Sequence, residues 1–213
     1  MAYGAHVTDD WSDETTAKLV QIWNERGHAG AGAHNDNVLP GSKAATEQSW
    51  AGEWAIAAKE QLGLVVEDVV MNASDPPDAV ATIAGQFVSV ELAEFVDGGL
   101  ISGLKMYRQK PEPSGKRPTS YNDPFFTAAQ WTQDRFIKEL NRLLDGKHAK
   151  YVKRELVFDY LVVFSAEPRL FPRDVADWLL RNPIARRESL RCVHFLMDYQ
   201  PGRPGRHPVF HVY

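Results

Sequence analysis

The chain has 213 residues, of which 44% are hydrophobic and six are Trp, and it carries a formal net charge of −4. This composition predicts one folded domain over residues 1–213 and excludes a disordered chain. The single cysteine, Cys192, excludes an internal disulfide bond and a cysteine-rich zinc site, and the mild net charge excludes a uniformly basic surface but not a local basic patch.

The hydropathy of the chain indicates no membrane partner. The first residues, MAYGAHVTDDWSDE, are polar and acidic, unlike a signal peptide. No run approaches the roughly 20 apolar residues that a membrane helix needs. Together with the sparse use of cysteine, this predicts a cytoplasmic protein.

The N-terminal half is predicted to contain two helices and then three strands. Helical spacing occurs at about residues 13–26, before a loop rich in Gly and Asn. A longer helix is predicted over residues 44–62, with Gly63 as its stop. A β-branched strand follows, and then two strands at residues 79–84 and 87–95 form a predicted hairpin.

The C-terminal half begins with a turn-rich, basic insertion at residues 105–124. The run FFTAAQWTQDRFIKELNRLL then predicts a helix that ends at Gly146. LVFDYLVVFS predicts a central strand that is buried on both faces. Residues 166–213 predict an extension of one helix and two strands, at residues 173–180, 191–198 and 209–212.

This order of elements predicts the fold class. The core, at about residues 44–165, reads α-β-β-β-α-β, flanked by the N-terminal helix and the C-terminal α-β-β extension. Three successive strands imply antiparallel pairing, whereas a helical crossover implies a parallel step. The chain is therefore predicted to form an α/β domain with a mixed sheet.

The hairpin places two acidic side chains on one face of the predicted sheet. With Gly85–Gln86 as a type II′ turn, Asp78 pairs with Ala93, and Glu91 becomes its diagonal neighbour. Two carboxylates so placed repel each other unless one keeps a proton or a cation lies between them. Because Mg²⁺ takes one or two carboxylates with waters and phosphate oxygens, the pair predicts a Mg²⁺ or Mn²⁺ site. The simpler interpretations are a turn-stabilising aspartate and an edge-strand charge.

The tripeptide PPD at residues 76–78 and the later segment VSVELAEF, within this order of elements, resemble the PD-(D/E)XK, or restriction-endonuclease-like, nuclease superfamily. The resemblance covers about residues 46–165. It implies the restriction-endonuclease-like fold and metal-dependent hydrolysis of phosphodiester bonds. It also implies that Asp78 and Glu91 are catalytic residues that bind the metal.

One position departs from the family pattern, because Ala93 stands where the motif lysine is expected. Some members of the superfamily take a cation or an amide from the following helix instead, so the resemblance makes Lys138 and Gln130 candidates for that catalytic role. The resemblance also implies a third metal ligand from the helix before the sheet. Glu53 is the candidate for this ligand, with Glu47 as its alternative.

The insertion supplies candidate contacts to nucleic acid, for which the resemblance favours DNA. Its basic residues could follow a phosphate backbone, and Tyr107 and Tyr121 could stack on bases. A nuclease that cuts both strands often acts as a homodimer. The alternative is an ordinary solvated loop. The basic residues are Lys105, which is also a candidate for the missing cation, Arg108, Lys110, Lys116 and Arg117.

Two other interpretations remain open at the level of sequence. The absence of the motif lysine favours a catalytically inactive module of the same fold that binds nucleic acid or a protein. An unrelated α/β protein with incidental acids is the third interpretation. A zinc site at His194, His207 and His211 is disfavoured because their spacing fits no fixed motif. Cys192 is expected to be a buried small hydrophobe.

Overall fold

The computed structural model describes residues 42–74, 76–96, 131–167, 170–198 and 207–213. The predicted N-terminal helix at residues 13–26 and the basic insertion at residues 105–124 lie outside these ranges, as does Gln130.

The described residues form one mixed sheet of six strands, whose spatial order is the order along the chain. The first three strands pair antiparallel, the third, fourth and fifth pair in parallel, and the sixth is antiparallel to the fifth. The prediction of a mixed α/β sheet is confirmed. The strands are β1 (Val66–Met71), β2 (Ala79–Ile83), β3 (Gln86–Glu94), β4 (Phe158–Ser165), β5 (Leu190–Met197) and β6 (Val209–His211).

Three helices belong to the described residues: α1 (Ser42–Leu62), α2 (Gln133–Val152) and α3 (Pro172–Arg181). Helix α1 ends where the sequence predicts, because Gly63 follows it with a φ of +67°, a conformation that glycine adopts without steric penalty. Helix α2 begins after Thr132, whose hydroxyl accepts the backbone N–H of Arg135 at 3.3 Å.

The sheet separates two apolar cores, because successive side chains along a strand point to opposite faces. On one face, Trp54 and the alanines of α1 pack against Val90 and Leu92 of β3. On the other face, Phe136 and the leucines of α2 pack against a cluster that includes Ala93. The second half of strand β3 therefore lies between two helical layers, and the polar side chain of Glu91 in it is enclosed.

The hairpin between β2 and β3 differs from the predicted one. The two loop residues are Ala84 and Gly85, both with positive φ (49° and 75°), which is the signature of a type I′ turn. The predicted turn at Gly85–Gln86 is wrong, and the pairing shifts by two residues along β3, with Ala79 opposite Val90. A shift of two preserves the faces, so the prediction of which side chains share a face holds.

Helix α2 also differs from the prediction, because it does not end at Gly146. It continues to Val152, and its buried residues include Tyr151 in the last turn. Glycine inside a helix is unfavourable by about 0.5–1 kcal/mol relative to alanine, which tertiary contacts easily exceed. The burial of Tyr151 against Phe158, with ring centroids 4.5 Å apart, supplies such a contact.

The continuous helix makes a prediction about stability. A Cβ added at Gly146 would meet no atom within 4 Å, so Gly146→Ala should raise the free energy of unfolding by about 0.5–1 kcal/mol. Gly63→Ala is the matched control, since its Cβ also meets no atom but its φ of +67° is unfavourable for alanine. That variant should lose about 1 kcal/mol. Urea denaturation of both variants measures these differences, and destabilisation by Gly146→Ala would contradict a helix running through this position.

Candidate functional site

Glu91 is a buried acid in the middle of the sheet, with 2% of its surface exposed. It lies on the face of β3 that α2 covers. Lys147 of α2 donates from Nζ to Glu91 Oε1 at 3.0 Å, and the same Nζ donates to the carbonyl oxygen of Leu92 at 3.1 Å. The hydroxyl of Tyr151, one turn further along α2, also donates to Glu91 Oε1. The last two turns of α2 thus provide both a charge and a hydrogen bond for this carboxylate.

The second oxygen of Glu91 differs from the first. Oε2 is buried and has no hydrogen-bond partner among the described residues. Leaving a buried polar atom unpaired costs about 1–3 kcal/mol, and more for a charged group. Such an atom in a folded protein calls for an explanation, and an incoming ligand of positive charge is one.

Asp78 immediately precedes β2 and is buried beside β3. Its Oδ2 accepts the backbone N–H of Leu92 at 2.7 Å. The side chain thereby provides β3 with a hydrogen bond just beyond the end of β2. Continuing the observed register by one residue from the Ala79–Val90 pair places Asp78 opposite Glu91. The sequence predicted these acids as diagonal neighbours, and the structure brings them closer in register than predicted.

The electrostatic surroundings of Asp78 raise the pKa of its carboxyl from 3.8 to about 6. Burial is the largest cause. The negative charges of Glu91 and of Glu47 from α1 raise this pKa further, whereas the Leu92 N–H and the charge of Lys147 lower it. Among the charged groups that shift this pKa, the two acids therefore outweigh the one cation, Lys147.

The predicted third acid, Glu53, is engaged elsewhere in the structure. Its Oε2 lies 3.3 Å from His207 Nε2, just before β6. The acid of α1 whose charge reaches Asp78 is Glu47, the alternative in the sequence-based prediction. Within the described ranges, these acids do not form a group of three with all ligand atoms within 4.8 Å. Two carboxylates completed by waters and phosphate oxygens would suit Mg²⁺ at such a site.

The predicted cation, Lys138, is exposed and is not brought to Glu91. It precedes Lys147 by nine residues, which is about two and a half helical turns, so the two side chains point to opposite sides of α2. Lys147, and not Lys138, is the lysine of α2 that contacts Glu91. The other cation and amide candidates, Lys105 and Gln130, lie outside the described residues, as do the remaining basic residues of the insertion, Arg108, Lys110, Lys116 and Arg117.

Sequence reasoning missed Lys147 and Tyr151 because Gly146 was interpreted as a helix stop. A signal for both residues is present in the chain. The buried positions Phe136, Leu140 and Leu144 repeat every four residues, and the same stripe continues through positions 147 and 151. A stripe that continues past a glycine indicates that the helix does too.

A separate group, made of Cys192, His194 and His211, has ligand atoms that all lie within 4.8 Å of one another. Cys192 Sγ is 3.5 Å from His194 Nε2 and 3.8 Å from His211 Nδ1. By spacing alone this group could hold a metal ion. It differs from the predicted histidine set, because His207 contacts the Met197 carbonyl and Glu53 instead.

The hydrogen bonds of His194 oppose metal binding at this group. The indole N–H of Trp54 donates to His194 Nδ1 at 2.9 Å, and an indole can only donate. The proton of the neutral ring therefore lies on Nε2, the nitrogen that faces Cys192. Histidines that ligate metals usually donate from their other nitrogen, whereas here that nitrogen accepts. Burial also lowers the pKa of His194 to about 4 and raises that of Cys192 to about 11, which favours a neutral thiol–imidazole contact.

Comparisons with protein-family models, with curated proteins and with solved structures found no match for this chain. Across the part of the chain that the structure describes, no helix is both long and apolar enough to cross a membrane.

The raised pKa of Asp78 makes a prediction about stability and pH. Between about pH 4 and pH 6 the native state retains a proton that the unfolded chain has lost, so this group's contribution to stability falls as the pH rises through that window. Asp78→Asn should therefore stabilise the protein at pH 7.5 in EDTA, on the order of 1 kcal/mol after solvent screening is allowed for. The gain should disappear near pH 4.

Asp159→Asn is the control with the opposite sign. Burial raises the pKa of Asp159, but hydrogen bonds from Ser89 and the charge of Arg191 outweigh it and hold this pKa below its ordinary value. That stabilisation is present at neutral pH and is lost as the pH falls, so Asp159→Asn should destabilise at pH 7.5. Urea denaturation of both variants at the two pH values measures the effects. A loss of stability in Asp78→Asn at pH 7.5 would contradict the charge imbalance at the site.

Proposed function

We propose that this protein is a metal-dependent nuclease that hydrolyses phosphodiester bonds in nucleic acid, with Asp78 and Glu91 as the acids that hold Mg²⁺ or Mn²⁺. The observation that carries the proposal is the unpartnered, buried Oε2 of Glu91 beside Asp78. A divalent cation would give Oε2 a partner and would compensate the excess negative charge. The donor set is carboxylate oxygen, which both metals prefer.

The order of elements supports the same proposal. The structure contains α1, three antiparallel strands, α2 and a parallel β4, which is the α-β-β-β-α-β order that the resemblance to restriction-endonuclease-like proteins implies. Glu91 lies on β3 and Asp78 immediately precedes β2, which is the placement that the resemblance to the PD-(D/E)XK pattern implies. This resemblance supports the finer fold assignment, which remains part of the proposal.

Lys147 takes the role of the lysine that Ala93 replaces. An ammonium group has three donors, and Glu91 Oε1 and the Leu92 carbonyl accept two of them. The side chain is 24% exposed, so the third donor can reach a water or a phosphate oxygen. In this role Lys147 orients the attacking water or neutralises charge that develops on the phosphate.

The bound metal would act as a Lewis acid, which would lower the pKa of a bound water and neutralise phosphate charge. Asp78 and Glu91 would hold this metal, and Glu47 is the acid of α1 whose charge also acts on Asp78. Tyr151 and Lys147 hold the Glu91 carboxylate in one orientation.

An anionic substrate fits the surroundings of the site. Lys150 is exposed, and its Nζ lies 5.7 Å from the ring centroid of Tyr151, whose hydroxyl donates to Glu91. A cation at this distance could bind a phosphate that flanks the scissile one. Within the proposal, DNA is the substrate, the cytoplasm is the compartment, and a homodimer would allow both strands to be cut.

The test is a cleavage assay on single- and double-stranded DNA and RNA with Mg²⁺ or Mn²⁺. We expect cleavage that requires the metal, that EDTA abolishes, and that Glu91→Gln lowers by about 100-fold or more. Lys147→Ala should cause a similar loss, whereas Lys138→Ala should retain cleavage because this side chain points away from the acids. Folding of each variant is checked by its thermal transition.

The outcomes separate the alternatives. Metal-dependent cleavage that survives Glu91→Gln would contradict the assignment of the site. Loss in Lys138→Ala with full activity in Lys147→Ala would return the catalytic role to Lys138. If no substrate is cleaved but nucleic acid is bound in a salt-sensitive manner, the protein is instead the non-catalytic module that the sequence left open.

A further inference from the structure

Tyr151 contributes a hydroxyl group to the predominantly apolar core between α2 and the sheet. Its side chain is fully buried, and its ring packs edge-on against Phe158. A phenylalanine would supply the same ring contact, so packing does not require the hydroxyl. The hydroxyl donates to Glu91 Oε1. The hydroxyl of Tyr151 is thus hydrogen-bonded to the acid of the candidate site.

The two donors to Glu91 converge on one oxygen. Lys147 Nζ and the Tyr151 hydroxyl both donate to Oε1, while Oε2 has no partner among the described residues. A buried carboxylate that only needed neutralisation would gain more from one donor on each oxygen, because an unpaired oxygen carries a desolvation cost. The asymmetric arrangement leaves Oε2 as the one carboxylate oxygen of Glu91 without a hydrogen-bond partner among the described residues, next to a second acid, Asp78, whose pKa the charge of Glu91 raises.

We infer that Tyr151 is a positioning residue that, together with Lys147, occupies Oε1 of Glu91 and thereby presents Oε2 alone to the metal. This inference rests on the proposed function, which it deepens by assigning one ligand atom and monodentate binding to Glu91. Loss of a group that hydrogen-bonds to a metal ligand without touching the metal typically lowers metal affinity by about 10- to 100-fold. The Tyr151 hydroxyl belongs to this class.

Lys147 and Tyr151 act differently although they share an acceptor. The ammonium group of Lys147 repels a divalent cation while it orients the carboxylate, and it can also reach the substrate. The hydroxyl of Tyr151 is neutral and buried, so it only orients. Loss of this hydroxyl should weaken metal binding and leave the chemical step intact once metal saturates the site.

The experiment compares Tyr151→Phe with the full-length wild-type chain. Mn²⁺ binding without nucleic acid, followed by electron paramagnetic resonance, should weaken by about 10-fold in the variant. In cleavage assays the Mn²⁺ concentration for half-maximal rate should rise by a similar factor, while kcat at saturating Mn²⁺ changes by less than about threefold. Tyr160→Phe is the control, because Tyr160 lies on the opposite face of the sheet near Trp54 and should alter neither quantity.

A merely structural tyrosine would lower the thermal transition of Tyr151→Phe without changing Mn²⁺ affinity, and that result would overturn the inference. A variant that binds Mn²⁺ about 10-fold more weakly supports it, even if no nucleic acid is cleaved, in which case the proposed nuclease activity fails by itself. Wild-type protein that binds no Mn²⁺ would overturn both the inference and the metal site.

A second measurement on the wild-type chain covers the case in which Tyr151→Phe fails to fold. In protein labelled with 3-fluorotyrosine, Mn²⁺ bound to Glu91 Oε2 would broaden one tyrosine ¹⁹F resonance at low metal occupancy, because the hydroxyl contacts the same carboxylate. Glu91→Gln should abolish this selective broadening. If no tyrosine resonance broadens selectively, the inference is wrong.

Discussion

The burial of the Glu91 carboxylate between two helical layers is the constraint on which the rest of the site depends. A negative charge placed inside a sheet needs a compensating charge and hydrogen bonds, because desolvation of an ion costs on the order of several kcal/mol. Helix α2 provides Lys147 and Tyr151 at this point, and their geometry requires α2 to run two turns past its last leucine. Asp78 adds a second negative charge, which those donors do not balance. The site thus combines burial with an excess of negative charge. This combination is found at functional sites more often than at structural ones.

Much of the fold could be predicted from periodicity. Alternation along the hairpin assigned the correct faces to Asp78 and Glu91 even though the predicted turn was wrong, because the two-residue error equals the period of a strand. The antiparallel pairing of β1 to β3 and the parallel step to β4 followed from three successive strands and a helical crossover. Long, strongly patterned elements such as α1 and β4 were predicted close to their observed bounds.

The details that complete the site could not be predicted in the same way. The turn type depended on Ala84 accepting a positive φ, which propensity disfavours for alanine. Local propensity ended α2 at Gly146, and only tertiary contacts of the last turns explain why it continues. Glu47 and Glu53 are six residues apart on one helix and therefore point in different directions. The choice between them required the position of α1 relative to Asp78 and His207.

Lys147 and Tyr151 are one helical turn apart on the same segment, and both bind the same oxygen of Glu91. Separate elements would allow the two donors to be lost one at a time. Because both donors lie on a single turn, local unfolding of the end of α2 removes them together. It would leave Glu91 buried without either donor, and the free-energy cost of that state opposes the unfolding. The C-terminal end of a helix is ordinarily its least ordered part, but here the acid of the neighbouring strand makes it cooperative with the sheet. We therefore expect amide hydrogen exchange at the end of α2 to be coupled to exchange in the middle of β3.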